Sequence, residues 1–178
     1  MSYVPDLVAL YEIVPYIEYL PLNNETIRIA VSDYCEGGEL KDAIIKKYGK
    51  IEDWNTSEVT DMTKLFYKYY DFNENISKWD TSNVTNMSGM FLYAQCFNQP
   101  IGEWDVSSVT NMGGMFYSAK SFYQDIRDWD TSNVTNMISM FAGVESFWDT
   151  SNVEKMFYDS ESFNAESFNL ANAPWYHE

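Results

Sequence analysis

Four aspartates, Asp80, Asp105, Asp130 and Asp149, each open a short polar run such as Asp80-Thr81-Ser82 or Asp105-Val106-Ser107. Recurring carboxylates would offer oxygen ligands to a hard cation such as Ca²⁺. Each Asp is followed by Thr-Ser or Val-Ser rather than by a glycine-rich chelating loop. The short side chains instead suit tight turns in which they bond their own backbone. Thr60, Thr85, Thr110 and Thr135 recur in the same way, but a threonine ladder one residue wide is too narrow to match an ice lattice. The sole histidine is His177, so histidine-based nucleophilic triads and histidine-rich metal sites lack their base or ligands. These residues therefore predict no catalytic residue, no metal, no cofactor and no small-molecule substrate.

The elements that would position these residues repeat. Trp54, Trp79, Trp104 and Trp129 are each 25 residues apart, and Ile51, Ile76, Ile101 and Ile126 precede them by three. A constant period of this length implies stacked units, each one turn of a solenoid. Three units are in register, Trp54 to Lys78, Trp79 to Glu103 and Trp104 to Asp128. A shortened fourth runs from Trp129 to Phe147, and a fifth begins at Trp148. Trp54, Trp79, Trp104, Trp129, Met87, Met112, Met137, Phe91, Phe116 and Phe141 would form the structural core, with methionine filling gaps between aromatic columns. Asn83 to Met87 reads as a short parallel strand, Gly89 to Ala94 as a helical turn, and Cys96 to Glu103 as a returning loop. Asn86, Asn111 and Asn136 would stack inside the turn and satisfy backbone groups of the neighbouring coil.

Residues 1–50 read as an N-terminal arm and helical cap, and residues 51–178 as the repeats with irregular C-terminal coils. Pro5, Pro15 and Pro21 divide the arm over residues 3–22, whose content allows either a broken helix or a strand. Asn24 is placed to cap a helix from Glu25 to about Cys35, with Ile27, Ile29, Ala30 and Val31 as its apolar stripe. A second helix fits Glu39 to Lys47, with Gly49 placed to end it. These helices would close the N-terminal end of the repeats.

The formal net charge is −16, with 27 acidic and 11 basic residues, and residues 1–53 alone hold ten acidic and five basic ones. Nucleic-acid backbones and anionic membranes are bound through clustered Lys and Arg, so neither is an expected partner. No run of 18 apolar residues occurs, so no transmembrane segment or membrane insertion is expected, and the acidic start lacks the basic region of a signal peptide. Cys35 and Cys96 are expected as free, mostly buried thiols, which favours a reducing compartment.

The pattern WDTSNVTNMxxMF followed by FNQxIxxWD resembles the BspA-like leucine-rich repeat family in its 25-residue tryptophan, methionine and phenylalanine variety. The resemblance covers residues 51 to about 157. Relatives of this type look like mycoplasma surface lipoproteins, bacterial adhesins, and repeat proteins of protists and large DNA viruses. The resemblance implies an α/β, leucine-rich-repeat-like solenoid of about five coils with a narrow parallel sheet and an N-terminal helical cap. It also implies binding of proteins and no catalytic residues. LNNETIRIAVSDYC with YGKIEDWNTSEVTDM is more similar to the caps of the large-virus and protist versions, which implies an intracellular or virion-associated protein.

Tyr67, Tyr69, Tyr70, Tyr93, Tyr117 and Tyr123 lie in or just after the helical turn, where the repeat is loose. Tyrosine gives rigid contact area with a polar tip and is enriched at protein interfaces. Together with Thr85, Thr110 and Thr135 they form the candidate interface. The expectation is a non-enzymatic solenoid that binds a protein partner or self-assembles, for example as a structural component of a giant-virus particle. The competing reading is a cell-surface adhesion module of a bacterium or protist.

Overall fold

Two helices come first and the repeats follow. The structure is a computed structural model that describes residues 20–144, in which α1 spans Thr26–Glu36 and α2 spans Gly38–Tyr48. A single 3-10 turn at Ile51–Asp53 leads into the first unit. The arm before residue 20, the end of the fourth unit and the unit beginning at Trp148 lie outside the described residues.

Asn23, rather than Asn24, holds the start of α1. Its Oδ1 accepts the N–H groups of Glu25 (3.0 Å) and Thr26 (2.9 Å), and Thr26 Oγ1 accepts the N–H of Asn23 at 2.9 Å. This reciprocal pairing satisfies donors that a helix start leaves open. Ile27, Ala30, Val31 and Tyr34 form the buried stripe, whereas Ile29 is 60% exposed and falls outside it. Gly37 and Gly49, at φ 86° and 81°, let the two helices end in a left-handed residue without steric cost.

The backbone corrects the expected leucine-rich-repeat-like α/β solenoid with its narrow parallel sheet. Among the described residues there is no strand and no sheet, only isolated parallel bridges of Asp61 with Asn86, Asn86 with Asn111, and Asn111 with Asn136. The cause is local. Past each bridge the chain enters positive φ twice, at Lys64 and Lys68, Gly89 and Tyr93, Gly114 and Ser118, and Ser139 and Gly143. Extended strands need negative φ throughout, so pairing stops after one residue. The same dihedrals overturn the helical turn expected at Gly89 to Ala94, because left-handed residues interrupt a right-handed helix. The segment is a run of tight turns, with Met90 N–H bonded to Met87 O (3.1 Å) and Leu92 N–H to Gly89 O (3.0 Å).

Successive units nevertheless bond to each other in a fixed register. The N–H groups of Met62, Lys64, Phe66 and Lys68 donate to the carbonyls of Asn86, Ser88, Met90 and Leu92 at 2.8 to 3.0 Å. The same set recurs 25 residues later from Met87, Gly89, Phe91 and Tyr93. Buried backbone groups are thus paired without a strand ladder.

Aromatic columns fill the space that these turns enclose. Phe66, Phe91, Phe116 and Phe141 stack at successive centroid distances of 5.5 Å, and Phe72, Phe97 and Phe122 at 6.1 Å. Trp54 stacks on Trp79 at 5.8 Å, while Trp104 and Trp129 lie against Phe91 and Phe116. All four tryptophans, Met87, Met112, Met137, Phe91, Phe116 and Phe141 are buried.

Candidate functional site

Of the recurring aspartates, Asp80, Asp105 and Asp130 are turn residues, and Asp149 lies outside the described residues. Asp80 and Asp105 each accept two bonds at Oδ1, from the N–H and the hydroxyl of Ser82 and Ser107, and Asp130 accepts the N–H of Ser132. Hydrogen bonds from the hydroxyl and N–H of Ser107 hold the Asp105 carboxyl below its ordinary range, and those of Ser132 act likewise on Asp130. Among the described residues no group of three or more His, Cys, Asp or Glu is placed to hold a metal ion. The asparagine column also differs from its expected role. Asn86, Asn111 and Asn136 accept the N–H two residues ahead, and only the Asn136 amide is seen to reach another unit, the preceding one, at Asn111 Oδ1 (3.0 Å).

The threonines of the candidate interface are exposed but already engaged. The hydroxyls of Thr85, Thr110 and Thr135 donate to the carbonyls of Thr60, Thr85 and Thr110 at 3.2, 3.1 and 3.0 Å. What they offer outward is hydroxyl acceptor capacity and methyl groups.

The tyrosines divide. Tyr67, Tyr70 and Tyr123 are exposed, Tyr93 and Tyr117 are half-buried, and Tyr69 packs against the core. Tyr67, Tyr93 and Tyr117 come together as a ladder across three units, with ring centroids 6.3 and 5.5 Å apart. Two lysines join them, Lys64 and Lys68, whose Nζ atoms lie 5.7 and 5.0 Å from the centre of the Tyr67 ring. Sequence reasoning passed over both. Their signal was there, since two of only 11 basic residues sit four apart around a tyrosine.

A cleft of about 390 Å³ adjoins this ladder where the helices meet the first unit, lined by Tyr34, Cys35, Lys41, Lys68, Tyr70 and Glu74 among others. Lys41 Nζ is 3.6 Å from Glu74 Oε1 and 4.1 Å from the centre of the Tyr34 ring. Burial pushes the Cys35 thiol up to about 11, so it stays protonated at neutral pH and is not an activated nucleophile. Both described cysteines are free, but Cys96 is exposed, contrary to the expected burial.

Among the described residues no helix is long and apolar enough to cross a membrane. No match was found among curated proteins or solved structures. A family model described as "Mycoplasma protein of unknown function, DUF285" matches residues 40–150, which take in most of α2 and the units that carry the tyrosine ladder, and the chain therefore belongs to this family.

Proposed function

We propose that this protein is a non-enzymatic interaction module that binds another protein through the ladder of Tyr67, Tyr93 and Tyr117, with the exposed Tyr70 and Tyr123 as further contact residues. The observation that carries this reading is the meeting of these rings with the Lys64 and Lys68 cations in a chain of net charge −16. Aromatic rings offer large contact area at little entropic cost. The two cations favour a partner surface carrying carboxylates, and they would steer it to this face against the repulsion of the rest. The BspA-like character of the repeat motif supports binding rather than catalysis. A structural place in a larger assembly, such as a virus particle, is the finer form of this reading.

The test compares partners co-purified with the parent protein and with a Tyr67→Ser/Tyr93→Ser/Tyr117→Ser variant, at low and moderate salt. One partner in fixed ratio to the parent, lost from a variant that melts cooperatively, is the expected result. A partner retained by that variant would place the contact elsewhere. Recovery of the native protein only from an outer cell surface would favour the adhesion reading instead.

A further inference from the structure

Lys64 and Lys68 carry their charge without a carboxylate beside it. Among the described residues Arg28, Lys41, Lys78 and Arg127 pair with Asp61, Glu74, Asp53 and Asp125 at 2.8 to 3.6 Å, and neither Lys64 nor Lys68 belongs to an ion pair. Both lie against the Tyr67 ring instead, and both are exposed. A ring face attracts an ammonium more weakly than a carboxylate does, so these two cations remain available to an anion from outside the chain.

Lys68 belongs to the ladder and to the cleft at once. Its ammonium sits by Tyr67, and it lines the cleft of about 390 Å³ together with the exposed Tyr70. Inside, the lining is largely aromatic, from the buried Tyr34 and Phe72 and the half-buried Tyr69. Lys41 and Glu74 answer each other's charge at 3.6 Å, and the Cys35 thiol, pushed up to about 11 by burial, is neutral. Asp71, also on the lining, opposes a second carboxylate there. An unpaired charge entering this space would lose water without gaining a partner, whereas an apolar side chain would shed water against rings.

We propose that ladder and cleft together bind one extended, acidic segment of a protein partner, whose carboxylates meet Lys64 and Lys68 while a large apolar side chain beside them enters the cleft. The inference rests on the reading of the ladder as a partner face and names what that face takes. The shape asks for an extended segment, because the rings form a row and the cleft is a hollow at its Tyr67 end. A flat surface would touch the row alone. A chain following the row can set a carboxylate on Lys68 and the next side chain in the hollow. Charge then fixes the class of segment, since a chain of net charge −16 repels acidic partners except where unpaired cations stand.

The probe is the peptide acetyl-Glu-Glu-Phe-Glu-Glu-amide, titrated into the full chain and followed by amide NMR shifts. Binding in the millimolar range or tighter is expected, with shifts at Lys68, Tyr70 and Cys35. Replacing every Glu of the peptide by Gln, or its Phe by Ser, should each weaken binding by roughly fivefold or more. Lys68→Gln should weaken the original peptide by a similar factor, and Lys68→Arg should restore it. Tyr70→Ser, at the exposed mouth of the cleft, is the second variant and should also weaken it. No binding at millimolar peptide, binding indifferent to Lys68→Gln, or a serine peptide that binds as well as the phenylalanine one overturns the proposal. The ladder itself is judged separately, by co-purification. A partner lost from the triple tyrosine variant, together with a peptide that leaves the cleft residues unshifted, keeps the ladder as a partner face and overturns the acidic segment.

Discussion

The indole N–H of Trp104 donates to the carbonyl of Ile76 at 3.2 Å, 28 residues earlier in the chain. The same bond joins Trp79 to Ile51 (2.7 Å) and Trp129 to Ile101 (3.1 Å), while Trp54, with no earlier repeat, donates to Gly49 O (3.1 Å). The 25-residue period is thus written twice, in packing and in a polar bond that fixes where each ring sits. Trp104→Ala removes both and should cost about 3–5 kcal/mol, the range for deleting a buried large aromatic. Trp104→Phe keeps most of the packing and loses one of the two bonds to the Ile76 carbonyl, which still accepts the Trp79 N–H at 3.1 Å, so it should cost only about 0.5–1.5 kcal/mol. Denaturant melts of both variants check the size and the order.

The positive-φ positions make a second prediction. Gly114 sits at φ 62°, and a Cβ added there would meet nothing closer than Tyr117 Cβ at 3.9 Å. Gly114→Ala should therefore cost about 1–2 kcal/mol from left-handed strain alone. Ser118, at φ 55°, carries that strain already, so Ser118→Gly should raise the thermal midpoint. A rise with Gly114→Ala would contradict the account.

Thr63 Oγ1 is buried with no hydrogen-bond partner, whereas the equivalent Ser88 hydroxyl donates to Gly113 O at 3.0 Å. Thr63→Val replaces a dehydrated hydroxyl with a methyl group of the same shape. It should leave stability unchanged or raise it by up to about 1 kcal/mol. Ser88→Ala should lower stability, and chemical denaturation of the pair decides the comparison.

The two described cysteines should react at very different rates. Cys96 is exposed, while Cys35 is half-buried and its thiol is raised to about 11 by burial. An aromatic disulfide reagent at mild alkaline pH should modify Cys96 quickly and Cys35 only as the fold opens, and peptide mapping identifies which was labelled. Because the folded pKa of Cys35 is raised, its contribution to stability is present below the unfolded value of about 8.5 and is lost as pH climbs from there toward 11.

Asp105 and Asp130 have carboxyls held low by the serine bonds. Their contribution to stability is present above the unfolded value of about 3.9 and is lost as pH falls through their lower folded values. Thermal midpoints should drop over that acidic window, and the drop should be shallower in Asp105→Asn. Both groups are exposed, so solvent screening keeps the effect small.

The period, the helices and the buried columns were legible because they are patterns of residue type at fixed spacing. The strand at Asn83 to Met87 was misread for a reason that spacing does not reveal. Val84, Met87 and their counterparts suit a strand as well as a turn, and the positive φ at Gly89 and Tyr93 stops any extension from running on past this segment. Gly89 and Gly114 hinted at positive φ, but Lys64, Lys68, Tyr93, Ser118 and Ser139 adopt it under tertiary constraint and carry no such mark. For the same reason the capping asparagine was misplaced by one residue. Asn23 and Asn24 are equally able to cap, and the open edge of the first unit claims Asn24.

By itself the sequence determined that the chain is a 25-residue repeat with tryptophan, methionine and phenylalanine inside, because burial of large apolar side chains forces their recurrence. Only the tertiary structure decided that units join through single bridges and turns rather than a sheet, and that Tyr67, Tyr93 and Tyr117 meet. It also placed Arg28 on the carbonyls of Asp61 and Thr63, some 35 residues away. Those outcomes depend on which backbone groups lie opposite one another, and hydrogen-bond geometry across units is fixed only once the packed columns bring them together.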